Sequence, residues 1–168
     1  MLVKELPIPV LVKEIGAGIS LETAVKLCDV GVTYIDVAGA GGTSWAGVEI
    51  LRRKKSEQQK WNPFWDWGIA TADALTAVVP IKKQFPDLKI ISSGGIANGI
   101  ECAKSIALGA DLTASARPLL KILMNSGKKE LHETILQWIA ECKGCMFLTG
   151  ISSLKELRLT QRIQRIRQ

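Results

Sequence analysis

Ser92-Ser93-Gly94-Gly95-Ile96 and Ala114-Ser115-Ala116-Arg117-Pro118 are two strand ends of the same kind. Each follows a short apolar run, Leu88–Ile91 and Ala110–Leu112, and each leads into a segment with helical spacing. Two neighbouring loops of this kind aim backbone N–H groups at one anion, because orphan amides and the helix dipole both favour negative charge there. Gly94 and Gly95 carry no Cβ, so backbone can approach a phosphate closely. Ala116 and Arg117 open the helix after the last strand, where Arg117 adds a cation for charge-assisted contacts.

The rest of the chain repeats this strand–helix pattern. Val10–Val12 reads as a first strand, followed by a helix with Ser20 as cap and Glu22 in its first turn. Leu21, Ala24, Val25 and Cys28 form that helix's apolar stripe, and Gly31 stops it. Thr33–Val37 is a second strand, and a glycine-rich loop, Ala38 to Gly47, follows it. The basic stretch Arg52 to Lys60 reads as the tail of a short helix running into an exposed connection. Trp61, Phe64, Trp65 and Trp67 crowd one short segment, which is expected to pack onto the sheet. Thr71 is the expected cap of the next helix, and Pro80 should end it. Ile96, Ile100, Ala103 and Ala107 recur at helical spacing up to Gly109. Asp111–Ser115 is a fourth strand. A long helix is expected over 128–146, with Leu131, Ile135, Trp138, Ile139, Cys142 and Met146 on one face. A last, basic helix is expected over about 152–168, solvated on its charged side.

Strands alternating with helices call for parallel βαβ units laid side by side by right-handed crossovers. The C-terminal ends of all four strands then share one rim. Lys13, the Gly39–Thr43 loop, Gly94-Gly95 and Ala116-Arg117 converge there. A (β/α)8 barrel takes roughly 250 residues; this chain has 168, which fits four units. The α/β fold is therefore expected to be a single domain over 1–168, as half a barrel or a small open sheet. A half-barrel leaves two edge strands and an apolar inner face uncovered. The chain alone is thus expected to dimerise, to be poorly soluble, or to need a separately made N-terminal half.

Composition narrows the setting. The chain is 47% hydrophobic, enough for a real core. It has no apolar run of about 18 residues, and Met1 to Pro9 lacks a secretory signal core; a cytoplasmic protein without membrane or nucleic-acid partners is expected. The net charge of +6 is concentrated in residues 155–168. Four cysteines in a chain of this size are not a disulfide framework. Cys142-Lys143-Gly144-Cys145 invites a zinc or redox reading, but no second paired cluster exists and core packing is expected.

Five segments in order carry a family resemblance over nearly the whole chain. They are Val10–Gly16, Asp36–Trp45, Trp67-Gly68-Ile69-Ala70-Thr71 with alanine in place of the usual proline, Ser93–Ile96 together with Ala107–Ala110, and Met146–Gly150. Together they resemble strands five to eight of the type 2 isopentenyl-diphosphate isomerases. That family is FMN-dependent, folds as a (β/α)8 barrel, and interconverts isopentenyl and dimethylallyl diphosphate with NADPH-reduced flavin and Mg²⁺. The resemblance implies an FMN site formed by Lys13, Thr43, Gly94, Gly95, Ile96, Ala116 and Arg117. In it Lys13 lies near the flavin's pyrimidine edge, and Thr43 donates to the ring. The family's diphosphate-binding Arg-Lys and His segments, its Thr-Gly-Met-Thr-Gly-Gly flavin segment and its Gln-Glu pair have no counterpart here. The chain therefore contributes no catalytic residue and no metal ligand, and His132 lies away from the rim. The implied role is the FMN-binding half of the isomerase, inactive alone. The alternatives are a non-catalytic FMN- or phosphate-binding half-barrel, or a piece of another FMN barrel of the hydroxy-acid oxidase kind. The absence of histidine from the late strands disfavours the last.

Overall fold

A computed structural model describes residues 2–163. A short helix α1 (Leu2–Glu5) precedes β1 (Leu11–Lys13), α2 (Leu21–Asp29) and β2 (Tyr34–Asp36). Two helices, α3 (Trp45–Leu51) and α4 (Lys55–Trp61), and a 3₁₀ turn at Asn62–Phe64 form an excursion before α5 (Thr71–Val78). A second 3₁₀ turn (Val79–Lys83) leads to β3 (Lys89–Ser92), α6 (Gly99–Ala107) and β4 (Leu112–Thr113). The long α7 (Arg117–Leu148) and the short α8 (Leu154–Leu159) complete the order.

The four strands form one parallel sheet in sequence order. Its register places Lys13 beside Asp36, Asp36 beside Ile91, and Ile91 beside Leu112. Because side chains alternate across a strand, these residues share one face. The other face, with Ile35, Ile90 and Ser92 fully buried, packs against the helices. Ser92 and Ser105 join strand to α6 through their hydroxyls at 3.1 Å. Leu75, Val78 and Leu88 fill the layer between, and Leu157 seats α8 in it. Each such side chain contributes about 1.5–3 kcal/mol by leaving water. On the opposite face the central Asp36 and Ile91 are buried, while Leu11 is 46% exposed and Leu112 is 58% exposed, each on an edge strand.

Local chemistry explains most element ends. Ser20 accepts the Thr23 amide at 3.2 Å, capping α2. Asn98, which spacing alone did not single out, caps α6 by accepting the Glu101 amide at 2.8 Å. Pro80 converts the end of α5 into a 3₁₀ turn. Several expectations are corrected. The Arg52–Lys60 stretch contains a helix of its own, α4, with no buried residue. Ile135 and Ile139 of the long helix are exposed, because α6 covers only the side of α7 carrying Trp138, Glu141 and Cys142. A helix opens at Arg117 after the last strand, as expected, and Gly127 breaks it with φ +83° and ψ −177°, so α7 is two helices end to end and the second begins at the expected place.

The tryptophan segment does not lie on the sheet. Trp65 packs over Gly47 of α3, and Ser44 Oγ donates to the Trp65 carbonyl at 2.5 Å. Phe64 lies tilted against both Trp61 and Trp67, Arg53 sits 4.6 Å over the Trp61 ring, and Trp67 is 71% exposed. The last helix is shorter than expected: α8 ends at Leu159, where Thr160 turns extended. Ile166, Arg165 and Arg167 lie outside the described residues. Two tail cations are tied to the fold by hydrogen bonds, Arg158 half-buried and Arg162 exposed. Arg158 reaches the Ala110 carbonyl and Asp111, and Arg162 donates to the Thr149 and Gly150 carbonyls at the C-terminus of α7, where the helix dipole favours a cation. No helix among the described residues is long and apolar enough to cross a membrane.

Candidate functional site

A cleft of about 600 Å³ opens at the C-terminal ends of the four strands. Lys13, Thr43, Gly94, Gly95, Ile96, Ala116 and Arg117 all line it. The topology accounts for this convergence, since parallel neighbours deliver every strand end to one rim. Among the described residues, the amides of Gly95, Ile96, Ala116 and Arg117 have no hydrogen-bond acceptor. They form a cradle of free donors, with the Arg117 and Lys121 cations beside it. Lys121 follows Arg117 by four residues, hence on the same side of the first segment of α7. That spacing was the available signal for a residue that the motifs alone did not single out.

Asp36 carries no such signal in the sequence. It lines the cleft, is 4% exposed, and accepts the Ser93 hydroxyl at 2.7 Å and the Ala38 amide at 3.0 Å. Ala38 takes φ +37° directly after it, an unusual conformation for a residue with a Cβ, held here by that carboxylate. Lys13 donates to the Glu14 carbonyl at 2.7 Å. The Glu14 carboxylate accepts the amides of Gly16, Ala17 and Gly18 at 2.6, 2.5 and 3.2 Å. Partial burial works against its charge, but those amides outweigh it and hold the carboxyl below its ordinary range.

The glycines prove to serve the protein's own backbone first. A Cβ on Gly94 would lie 2.0 Å from the Gly39 carbonyl oxygen, and one on Gly95 would lie 2.6 Å from that of Gly41. Thus the two glycine loops touch each other, and only what remains uncovered faces the cleft. Trp67-Gly68-Ile69-Ala70-Thr71 stitches the rim together. Ile69 donates to Ala17, Ala40 donates to Ile69, and Thr71 donates through its amide to Ala40. Thr71 does not cap α5 with its side chain, because the helix starts at Thr71 itself and its hydroxyl is drawn to the Gly94 carbonyl at 2.6 Å. Thr71→Val keeps the shape and removes that bond. It is expected to destabilise the chain by about 1 kcal/mol, read as a shift of the urea midpoint with unchanged slope.

The model of the FMN-dependent dehydrogenase family matches residues 1–164. The chain belongs to that family. Within the FMN-dependent dehydrogenase family, its sequence is similar to isopentenyl-diphosphate delta-isomerases, as its five motifs suggested. It is 46% identical to that of Chlorobaculum parvum over 161 residues, which is 90% of this chain and 44% of the relative. It is 46% identical to that of Stutzerimonas stutzeri over 165 residues, 97% of this chain and 46% of the relative. The chain thus spans a little under half the length of the curated relatives it matches. Among solved structures, a putative lactate oxidase of Pediococcus acidilactici matches with TM-score 0.70 and 25% identity, covering 97% of this chain and 39% of the oxidase. The L230A mutant of flavocytochrome b2 matches with TM-score 0.70 and 21% identity over 94% of this chain and 35% of that one. The latter shows a shared fold. FMN-dependent family membership and a parallel α/β architecture are thereby established.

Cys142 and Cys145 pack against the core as expected, and among the described residues no group of three ligating side chains could hold a metal.

Proposed function

We propose that this chain forms the FMN-holding half of an isopentenyl-diphosphate isomerase barrel, strands five to eight of eight. One observation carries the reading: Lys13, Thr43, the free amides of Gly95, Ile96, Ala116 and Arg117, and two cations line a single cleft. The chemistry of that donor set suits a flavin mononucleotide. Free amides and Arg117 with Lys121 take the dianionic phosphate. The Thr43 hydroxyl donates to the ring, and the Lys13 ammonium offsets negative charge on its pyrimidine edge. Glu14 and Asp36 act behind them, holding the loops that carry Lys13 and Ser93-Gly94. Reduced FMN, once bound, would supply the proton-transfer chemistry of the isomerisation. NADPH as reductant, a diphosphate substrate with Mg²⁺, four further βα units to hold them, and a cytoplasmic setting belong to the same proposal. The exposed Leu11 and Leu112 on the two edge strands support the need for those further units.

The test has two arms. Titration of FMN and of riboflavin, followed by flavin fluorescence, reads the phosphate end. The Arg117→Ala/Lys121→Ala double variant is expected to weaken FMN binding tenfold or more, at roughly 1.5–3 kcal/mol per charged hydrogen bond, and leave riboflavin unchanged. Equal losses for both would remove the phosphate role. Isomerase activity with FMN, NADPH and Mg²⁺ is expected only when the N-terminal half of a relative is added. FMN binding without turnover in that mixture would favour a non-catalytic flavin-binding piece.

A further inference from the structure

The thiols of the chain are unpaired, yet three of the four gather on two facing helices. Cys28 sits in the core, while Cys102 of α6 and Cys142 and Cys145 of α7 are partly exposed and reachable from solvent. The two helices approach until their backbones touch. A Cβ on Gly99 would lie 1.9 Å from the Trp138 carbonyl oxygen, and the Gly99 amide donates to the Glu141 carboxylate at 2.7 Å. Gly99 meets both Trp138 and Glu141, and Cys102 is a neighbour of Cys142, so the segment of α7 beyond Gly127 runs along α6 in the same sense. Cys102 lies one turn beyond Gly99, and Cys142 one turn beyond Trp138, so the two remain opposite each other. Burial chiefly, and then the neighbouring Cys102 and Cys145, push the Cys142 thiol upward in pKa.

We propose that Cys102 and Cys142 form a reversible disulfide tying α6 to α7, made by exchange with a low-molecular-weight disulfide such as glutathione disulfide. The competing pair, Cys142 and Cys145, is the one the sequence motif suggests. It stands three apart in regular helix, where Cβ atoms are about 5–6 Å apart, against about 3.5–4.5 Å in a disulfide. That pair closes only if the helix unwinds. A pair across a glycine-mediated helix contact needs no such distortion. In the exchange, the Cys102 thiolate attacks one sulfur of glutathione disulfide and expels one glutathione thiolate. Cys142, kept protonated more than an ordinary thiol, then loses its proton and displaces the second glutathione from the mixed disulfide. Two protein thiols are oxidised, one glutathione disulfide is reduced, and the two released protons end on the two glutathiones. The bond would lie in the first turn of α6, the helix that follows the Gly94-Gly95 loop.

The experiment treats the 168-residue chain with glutathione disulfide at neutral pH, alkylates it, and digests it with trypsin without reduction. Cleavage after Lys143 separates Cys142 from Cys145, so the bond is assigned by mass. The expected result is one linked pair, the Cys102 peptide with the Cys142 peptide, reversed by dithiothreitol and accompanied by a rise in melting temperature. Cys102→Ser and Cys142→Ser abolish the link, and Cys145→Ser keeps it. A Cys142–Cys145 bond, glutathione adducts that never resolve, or undiminished free thiols would each overturn the proposal.

Discussion

Gly94→Ala is expected to cost the fold roughly 3 kcal/mol and to remove flavin binding with it. Gly94 has φ +103°, a conformation that side chains rarely adopt, and its missing Cβ would lie 2.0 Å from the Gly39 carbonyl oxygen and 2.9 Å from the carbonyl carbon. Backbone strain of about 1–3 kcal/mol and an overpacking cost of about 1–3 kcal/mol fall on the same methyl. The obstructing atom is main chain, held by Gly39 N–H donation to Ser93 and by Thr71 packed against Gly39. It cannot swing away as a side chain would. Relief requires the Gly39–Thr43 loop to part from the Gly94–Ile96 loop, which opens the cradle of amides. Urea unfolding and FMN titration on the same samples read both effects. Wild-type stability with lost binding would mean that Gly94 faces only the ligand, contrary to the geometry.

Asp111→Ala is expected to be nearly as costly, and far from the cleft. Asp111 precedes β4 at the opposite end of the sheet. It accepts Lys82 Nζ at 2.6 Å and the Ile90 amide at 2.8 Å on one oxygen, and Arg158 Nη1 at 3.2 Å on the other. One carboxylate thereby joins the 3₁₀ turn after α5, strand β3 and helix α8. Its side chain is only 13% exposed, so removing it strands partly buried cations and an amide, at about 3 kcal/mol. Burial opposes its charge, but the Lys82 hydrogen bond, the Ile90 amide and the charges of Lys82 and Arg158 outweigh that and hold its pKa below the usual value. A depressed folded-state pKa contributes stability that is present above the unfolded-state pKa of about 3.9 and is lost as pH falls through the folded-state value. The wild type and Asp111→Ala should therefore differ at neutral pH and converge in acid. A gap that persists below that range would mean the loss is steric rather than ionic.

The strand–helix order, the cap at Ser20, the stops at Gly31 and Gly109 and the end of α5 at Pro80 were legible because each rests on a local rule. The candidate site was legible for the same reason. In a parallel sheet every strand end reaches one rim, so seven residues spread from Lys13 to Arg117 could be assigned to one place. Asp36 was not legible as a site residue, because a lone acid at a strand end carries no spacing signal. Its partners, Ser93 and Ala38, are supplied by the neighbouring strand and the following loop. Thr71 looked like a helix cap because that is what threonine before a helix does locally. Its actual acceptor lies 23 residues away at Gly94.

By itself, the sequence determined a parallel βα architecture whose strand ends share one rim, membership of the FMN-dependent dehydrogenase family, and similarity to isopentenyl-diphosphate isomerases. These follow from periodicities and motifs that act over a few residues. Only the tertiary structure decided that the glycines of the two loops pack against each other, that Trp67–Thr71 binds three rim loops, that Arg158 and Arg162 hold carbonyls and a carboxylate of the fold, and that Cys102 neighbours Cys142. Each of these depends on backbones brought close by the sheet and its helices, and distance in space is what a local pattern does not encode.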